Sequence, residues 1–201
     1  MMTSPIVRRR FLDLGQRQIH YREAGDRGER PIILLHGAPS SSAQLAPMIS
    51  LFGQHRHIVA PDIAGYGDSA PLPIGEPNIA DFADDVAQFL TALELEDVDI
   101  YGFHTGACVA SELAMRHPHL VHNVILEGVG FYEDGLRQKL IDHYAAPIIP
   151  DQDGAYLIRA FHFLRDQAIF WPWFDKSRAA RRDADILPAP QLLRWMVELL
   201  K

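Results

Sequence analysis

The chain has 201 residues, of which 48% are hydrophobic and 22% charged, a composition typical of a globular protein with one sizeable core. Its formal net charge of −7 argues against nucleic acid or an anionic membrane as a partner, because both need basic surfaces. A single cysteine excludes an internal disulfide, and the lack of a membrane-span-length apolar run or a signal-peptide core predicts a cytoplasmic protein.

The first part of the chain predicts a hairpin followed by a buried strand and a helix. Residues 6–14 and 18–23 have the alternation and the β-branched or aromatic content of two strands joined by a tight turn. Residues 31–35 form a short apolar run, which predicts a strand buried on both faces of a parallel sheet. The three serines at 40–42 are suitable caps for a helix over residues 43–52.

The middle of the chain continues this alternation of strand and helix. Residues 58–61 predict another buried strand, and Asn78 can cap an amphipathic helix over residues 79–93. A strand beginning at residue 98, a helix, and a further strand over residues 121–126 follow. The fold class predicted by this order is α/β, with a mostly parallel sheet that carries helices on both faces.

The segment from Val98 to Gly106 changes abruptly from predicted strand to predicted helix. Gly102 and Gly106 flank the turn, where glycine tolerates close backbone approach and unusual dihedral angles. Such a turn lifts its central residue, His104, out of the sheet edge with an exposed side chain and a strained backbone. The first N–H groups of the following helix would stabilise an anion above the turn.

After residue 131 the pattern changes to helix formers and aromatic residues. No strand is predicted between residues 136 and 201, so we expect a core over residues 1–131 and a helical lid over residues 132–201. Aromatic side chains in such a segment more often belong to a core, but they can also wall an apolar pocket. Four aromatic residues are predicted to line a substrate pocket: Phe103, Phe161, Trp171 and Trp173.

Three segments occur in the order and spacing of the α/β-hydrolase superfamily: HGAPSSS at 36–42, DIAGYGDSA at 62–70 and GFHTGA at 102–107. The third resembles the G-x-S-x-G nucleophile turn of that superfamily, with histidine in place of serine. The first two resemble most closely the branch of epoxide hydrolases, haloalkane dehalogenases and C–C hydrolases. The resemblance covers residues 10–131 and implies a doubly wound sheet with an α-helical lid.

The resemblance also implies roles for individual residues. The backbone N–H groups of Ala38 and Thr105 would form an oxyanion hole, and His36 would be a structural partner of the loop that carries Ala38. His104 would be a general base or a nucleophile, or else an inert residue on the pocket floor. Glu127, at the carboxyl end of a strand, would either orient a histidine or be a hydrogen-bonded structural carboxylate.

The chain stops at Lys201, before the two later strands that carry an acid and a base histidine in the superfamily. The sequence therefore predicts either a fragment of a longer protein, C-terminally incomplete, or a protein without the usual triad. The remaining histidines lack the spacing of a metal-ligand set, and no nucleotide-binding fingerprint is present. We accordingly expect no metal and no cofactor.

Two classes of function are compatible with these features. The first is a cofactor-free enzyme that hydrolyses a small apolar ester, epoxide or carbonyl compound at His104, with lyase-type proton abstraction as a variant. The alternative is a non-catalytic ligand-binding protein, or an inactive one, that kept the pocket and lost the nucleophile. In both cases the predicted partner is a small apolar molecule, and a homodimer is compatible with the sequence.

Overall fold

The computed structural model describes residues 5–144, 149–182 and 189–199. The strands are β1 (Arg8–Leu14), β2 (Arg17–Ala24), β3 (Ile32–Leu35), β4 (Ile58–Pro61), β5 (Val98–Phe103) and β6 (Val121–Glu127). The helices are α1 (Ala46–Phe52), α2 (Ile79–Ala92), α3 (Thr105–Arg116), α4 (Asp134–Tyr144), α5 (Ala155–Ile169) and α6 (Ala189–Leu199). A short 3-10 helix, Ser42–Leu45, leads into α1. The chain forms two compact units, residues 1–129 and 130–201.

All six strands belong to one sheet in the order β1-β2-β4-β3-β5-β6. β1 and β2 form the predicted hairpin, in which Leu14 pairs with Arg17, and β2 also pairs antiparallel with β4. β4, β3, β5 and β6 run parallel to one another. The predicted α/β architecture with a mostly parallel sheet is therefore confirmed, and its two antiparallel strands lie together at one edge.

The central strands are buried because helices cover both of their faces. Ile33 and Leu35 of β3 belong to the hydrophobic cluster that contains residues of α2 and α3. Leu34, which points to the opposite face, belongs to a second cluster with Ile49 of α1. The two clusters fix the middle of the sheet, so the loops that leave the carboxyl ends of β3 and β5 begin from a rigid base.

α2 begins where its sequence predicts. The side chain of Asn78 accepts hydrogen bonds from the N–H groups of Ala80 and Asp81, and the Asp81 carboxylate accepts one from the Asn78 N–H. This reciprocal arrangement is a capping box, which satisfies N–H groups that the helix itself cannot bond. The predicted apolar face is also confirmed, since three of its members are buried: Val86, Phe89 and Leu90.

The serine caps predicted before α1 are wrong. No side-chain cap bond is found at Ser41 or at Leu45, the residues that precede the 3-10 helix and α1. The chain at this point is held differently, because the N–H of Ser42 donates to the buried carboxylate of Asp62 at 2.7 Å. Pro47, in the first turn of α1, has no N–H group that needs a cap.

The unit 130–201 carries α4, α5 and α6, together with an isolated β-bridge between Phe170 and Arg181. Leu164 of α5 and Trp173 are buried. In the described parts of the chain, no helix has both the length and the apolar character to cross a bilayer. The function of this unit as a lid stays a prediction. Residues 200 and 201, where the given chain stops, lie outside the described residues.

Candidate active site

The turn between β5 and α3 places His104 at its tip. This residue has φ 53° and ψ −113°, a combination that L-residues rarely adopt, and its side chain is exposed. Its N–H donates to the carbonyl oxygen of Glu127 at 2.8 Å, which ties the turn to the end of β6. A strained backbone of this kind costs on the order of 1–3 kcal/mol, so the surroundings must hold it in place. The strain and exposure predicted from the sequence are both present.

Glycines allow the backbone segments around this turn to come close together. A Cβ atom at Gly102 would lie 2.3 Å from the carbonyl oxygen of Gly106, and one at Gly106 would lie 2.4 Å from that of Leu35. No side chain fits at either position. A Cβ at Gly37 would lie 3.0 Å from the Cβ of His104. The loop that follows β3 therefore packs directly against the turn.

Of the two residues predicted to form the oxyanion hole, Thr105 follows His104 in the chain and Ala38 is the neighbour of Gly37, which packs on His104. Ala38 follows Gly37 in the loop that packs on the turn, and Thr105 is the first residue of α3. The first N–H groups of a helix have no partner within the helix and carry a partial positive charge. Convergence of the Ala38 and Thr105 N–H groups on one point stays a prediction.

The surroundings of His104 favour its neutral form. Desolvation by the surrounding turn lowers the pKa of the imidazole from its ordinary value. The positive end of α3 acts in the same direction. The ring Nδ1 lies 3.3 Å from the hydroxyl oxygen of Thr105. A neutral imidazole keeps one nitrogen with a free lone pair, which can accept a proton or attack an electrophile.

Glu127 lies beside the turn, but its carboxylate bonds to a tyrosine. The hydroxyl of Tyr101 donates to this carboxylate. Burial and then this hydrogen bond raise the pKa of Tyr101 to about 12, so the phenol stays protonated. Within the part of the chain that the structure describes, the His104 ring makes its hydrogen bond to Thr105 rather than to Glu127. The geometry thus matches the structural alternative for Glu127, and its role toward a histidine stays a prediction.

The four aromatic residues predicted to line a pocket differ in exposure. Phe103 is half-buried, and Phe161 and Trp171 are each 37% exposed. Trp173 is 5% exposed, and its ring meets that of Phe174 edge to face with centroids 5.6 Å apart. Trp173 is therefore packed inside its own unit, which is the core role that such aromatics commonly have. The pocket role of all four residues stays a prediction.

His36 joins the loop after β3 to the loop after β4. Its Nδ1 donates to the carbonyl oxygen of Gly37 at 2.9 Å, and its Nε2 accepts from the N–H of Ile63, also at 2.9 Å. The side chain is fully buried. A histidine with these two bonds keeps a fixed tautomer and holds its loop. This agrees with the structural role that the family resemblance implies.

Asp62 is a second link between these loops. Its buried carboxylate accepts hydrogen bonds from His20 Nδ1 at 2.8 Å, from the N–H of Ser42 at 2.7 Å and from the N–H of Asp68 at 2.9 Å. Burial alone would raise the pKa of this carboxyl, but the three hydrogen bonds hold it well below its ordinary value. Asp62 therefore holds its own turn, through Asp68, and also the loop that carries Ser42.

The part played by His20 was not predicted from the sequence. His20 and Asp62 are 42 positions apart, and they meet because β2 pairs antiparallel with β4, with Tyr21 opposite Pro61. The hydrophobic pattern predicts both strands but not their pairing. Knowledge of that register would have placed His20 beside Asp62.

One cluster of potential metal ligands occurs among the described residues. Ligand atoms of His20, Asp62 and Asp68 lie within 4.8 Å of one another. Arg9 reaches the same place, because its Nε donates to His20 Nε2 at 3.1 Å and its Nη2 bonds to Asp68. The guanidinium charge would repel a second cation from this position. The cluster therefore fits an ion-pair network better than a metal site.

The sequence is similar to those of known hydrolases. The model of the alpha/beta hydrolase fold family matches residues 30–177. A 2-hydroxymuconate semialdehyde hydrolase of Pseudomonas sp. (strain CF600) is 30% identical over 96% of this chain and 70% of its own length. An uncharacterised hydrolase of Saccharomyces cerevisiae is 31% identical over 59% of this chain and 41% of its own length.

A solved structure shows the same architecture. The haloalkane dehalogenase DatA from Agrobacterium tumefaciens C58 has a TM-score of 0.68 and 24% sequence identity over 95% of this chain and 62% of its own. Similarity at this identity shows a shared fold. The chain spans about half the length of curated relatives such as the yeast hydrolase.

Proposed function

The chain belongs to the α/β hydrolase fold family, and from this premise we propose that it is a hydrolase whose reaction takes place at His104. The observation that carries the proposal is the geometry of the β5–α3 turn. The backbone of His104 is strained, and the turn presents its exposed imidazole between the first turn of α3 and the loop at Gly37. Strain of this kind is retained most often where it serves a site.

His104 would act through its neutral ring. As a general base on an ester it would take a proton from water as the water attacks the substrate carbonyl, and would pass that proton to the leaving alkoxide when the acyl C–O bond breaks. As a nucleophile it would attack the carbonyl itself and expel the alcohol, and water would then hydrolyse the acyl-imidazole to the acid and free His104. In both cases negative charge develops on the carbonyl oxygen; with an epoxide, attack on a ring carbon breaks a C–O bond and the charge develops on the former ring oxygen. The N–H groups of Ala38 and Thr105 would bind that charge, and one such donor typically contributes about 3 kcal/mol to the transition state.

The substrate that we propose is a small, largely apolar ester, epoxide or carbonyl compound. The half-buried ring of Phe103 supplies apolar surface next to the turn. The relative from Pseudomonas is named for the hydrolysis of a semialdehyde, which contains a carbonyl group. The net charge of −7 makes a strongly anionic macromolecule an unfavourable partner.

A panel of short acyl esters, including p-nitrophenyl acetate and butyrate, together with styrene oxide, tests the proposal. We expect His104→Ala to lower turnover at least about 100-fold, because the variant removes the reacting group. Free imidazoles also cleave activated esters, so a matched control is needed. His119→Ala removes an exposed histidine far along the chain from the turn and should leave turnover unchanged.

Two outcomes would contradict the proposal. In the first, His104→Ala keeps the turnover of the unmodified protein, which would mean that the reaction occurs elsewhere. In the second, neither protein turns over any member of the panel, yet both bind the apolar compounds equally in a calorimetric titration. That result would support the ligand-binding alternative.

A further inference from the structure

We propose that His20 and Asp62 are positioning residues for this site, because they hold the loop that carries Ala38 against the turn at His104. We call residues 36–42 the oxyanion loop. The role rests on the proposed function of His104. Neither side chain would touch the substrate, and both would act through the direction of the Ala38 N–H.

The oxyanion loop is tied at both of its ends to the segment after β4. At its beginning, His36 Nε2 accepts a hydrogen bond from the N–H of Ile63 at 2.9 Å. At its end, the N–H of Ser42 donates to Asp62 Oδ1 at 2.7 Å. Ala38 lies between these two bonds. The direction of its N–H group is therefore set by both ties.

The segment 62–69 closes around the carboxylate that makes the second tie. The N–H of Asp68 donates back to Asp62 Oδ2 at 2.9 Å. Gly67 has φ 56°, and a Cβ at this position would lie 2.0 Å from Asp62 Oδ2 and 2.9 Å from the Cβ of Ser41. Only glycine lets the segment contact both the carboxylate and the oxyanion loop.

His20 completes the set of donors around Asp62. Its side chain is fully buried, and its Nδ1 donates to Asp62 Oδ2 at 2.8 Å. Its Nε2 accepts from Arg9 Nε at 3.1 Å, which assigns the ring proton to Nδ1. Without this donor, a buried carboxylate loses one of its bonds and turns toward other partners or water. Its bond to Ser42 is then weakened.

This arrangement connects two motifs that are separate in sequence. The segment HGAPSSS supplies the oxyanion loop, and the segment DIAGYGDSA supplies the carboxylate and the glycine that hold it. His20, from the strand next to β4, supports the carboxylate from the other side. A merely structural brace would affect stability alone. A positioning role must also change how well negative charge is stabilised at the turn.

The experiment compares two substitutions, each of which places an amide nitrogen near a different ring nitrogen of His20. Asparagine places its amide nitrogen near the position of Nδ1, so His20→Asn keeps the donor to Asp62. Glutamine reaches toward the position of Nε2, so His20→Gln loses that donor. His57→Gln is the matched control, since His57 is also buried but faces Glu23 at 3.8 Å, away from the oxyanion loop.

We expect His20→Gln to lower kcat about 10- to 100-fold, less than or equal to the loss from complete removal of an oxyanion donor. KM should stay within about threefold, because the oxyanion hole acts on the transition state rather than on the bound substrate. His20→Asn and His57→Gln should keep kcat within about threefold of the unmodified protein. Unchanged kcat in His20→Gln, with normal turnover at His104, would overturn the inference and leave the proposed function intact.

Two measurements do not depend on turnover. Amide hydrogen exchange at Ala38 and Ser42 should become at least about tenfold faster in His20→Gln, but not in His20→Asn or His57→Gln. Binding of n-butylphosphonate, an anionic mimic of the tetrahedral state, should weaken in His20→Gln by a factor similar to the loss in kcat. If the unmodified protein shows no turnover that depends on His104, the proposed function fails, and these two measurements still decide the inference. Unchanged exchange or unchanged phosphonate binding would overturn it.

Discussion

The proposed role of His104 depends on the protonation state of its imidazole. An imidazole at the tip of the turn is useful as a base or nucleophile only when it is neutral. Desolvation and the positive end of α3 both work against the charged form. The neighbouring hydroxyl of Thr105 lies within 3.3 Å of Nδ1 and can hold the orientation of the ring. The lowered pKa therefore favours the neutral ring, which is the form that the proposed role of His104 requires.

The first prediction concerns the pH dependence of turnover. Because the pKa of His104 is lowered from 6.5, protonation removes the active form only at pH values below the ordinary range of histidine. We expect kcat/KM to rise with pH and to reach its plateau with an apparent pKa below 6.5. The measurement is kcat/KM for p-nitrophenyl butyrate between pH 4.5 and 8.5. An inflection above 6.5, or the same profile in His104→Ala, would contradict the assignment.

The sequence predicted those features of single residues that follow from local rules. The strain at His104 and the need for glycine at 102 and 106 follow from the strand–turn–helix pattern alone. The bond between His20 and Asp62 does not follow from any local pattern, because it depends on which strand lies beside β4. The packing of Trp173 inside its unit depends likewise on tertiary contacts.

At the scale of secondary-structure elements, a carboxylate in the middle of α2 is bonded to side chains at the C-terminal end of α3. The carboxylate of Asp84 in α2 accepts two hydrogen bonds from Arg116, at 3.0 and 2.7 Å. It accepts a third from His117 Nε2 at 2.7 Å. Both helices pack on the same face of the sheet. The group thus fixes the end of α3 that lies furthest from the turn at His104.

The second prediction concerns this group. The bonds from Arg116 and then His117 lower the pKa of Asp84 from 3.8 to about 2. A carboxylate with a lowered folded-state pKa stabilises the protein above its unfolded-state pKa, and this stabilisation is lost as the pH falls through the folded-state value. We expect Asp84→Asn to cost about 0.5–1 kcal/mol at pH 7, a small effect because the group is partly exposed. The difference should shrink as the pH falls from 4 toward 2.

Urea unfolding at pH 7, 5, 4 and 3 measures this difference. Asp26→Asn is the control, because Asp26 is an exposed carboxylate in the loop between β2 and β3. Its free energy of unfolding should match that of the unmodified protein at each pH. A cost of Asp84→Asn that stays constant down to pH 3 would show that the charge of Asp84 does not stabilise the pair of helices.

The helices and strands were predicted well where one periodicity dominates. The capping box and apolar face of α2 are both encoded within a single window of sequence. The start of α1 was predicted wrongly because serines are good caps in isolation, whereas here the N–H of Ser42 is taken by Asp62. A hydrogen bond between distant parts of the chain, from Ser42 to Asp62, is present here instead of a local helix cap. The result is a loop fixed from outside rather than from its own helix.

For the whole molecule, the two edges of the sheet have different chemistry. β1 at one edge begins with three exposed arginines, two of which form ion pairs with Asp68 and Glu23. Charged side chains of this kind discourage pairing with another strand. At the other edge, β6 has three exposed apolar side chains: Val124, Ile125 and Leu126. In the described sheet, one edge strand is therefore charged and the other is apolar.

The third prediction follows from this difference. An exposed apolar edge strand with free backbone groups promotes association between molecules. We expect the 201-residue chain to associate with increasing concentration and Ile125→Lys to suppress that association. Ile125 is 59% exposed, so the charge is tolerated and the free energy of unfolding should change by less than about 0.5 kcal/mol.

Sedimentation velocity between 5 and 200 µM, about a fortyfold range, measures the association. Leu51→Lys, at a position that is 58% exposed on α1, is the matched control and should associate like the unmodified chain. Equal association of both variants would mean that general surface hydrophobicity, rather than the β6 edge, brings the molecules together.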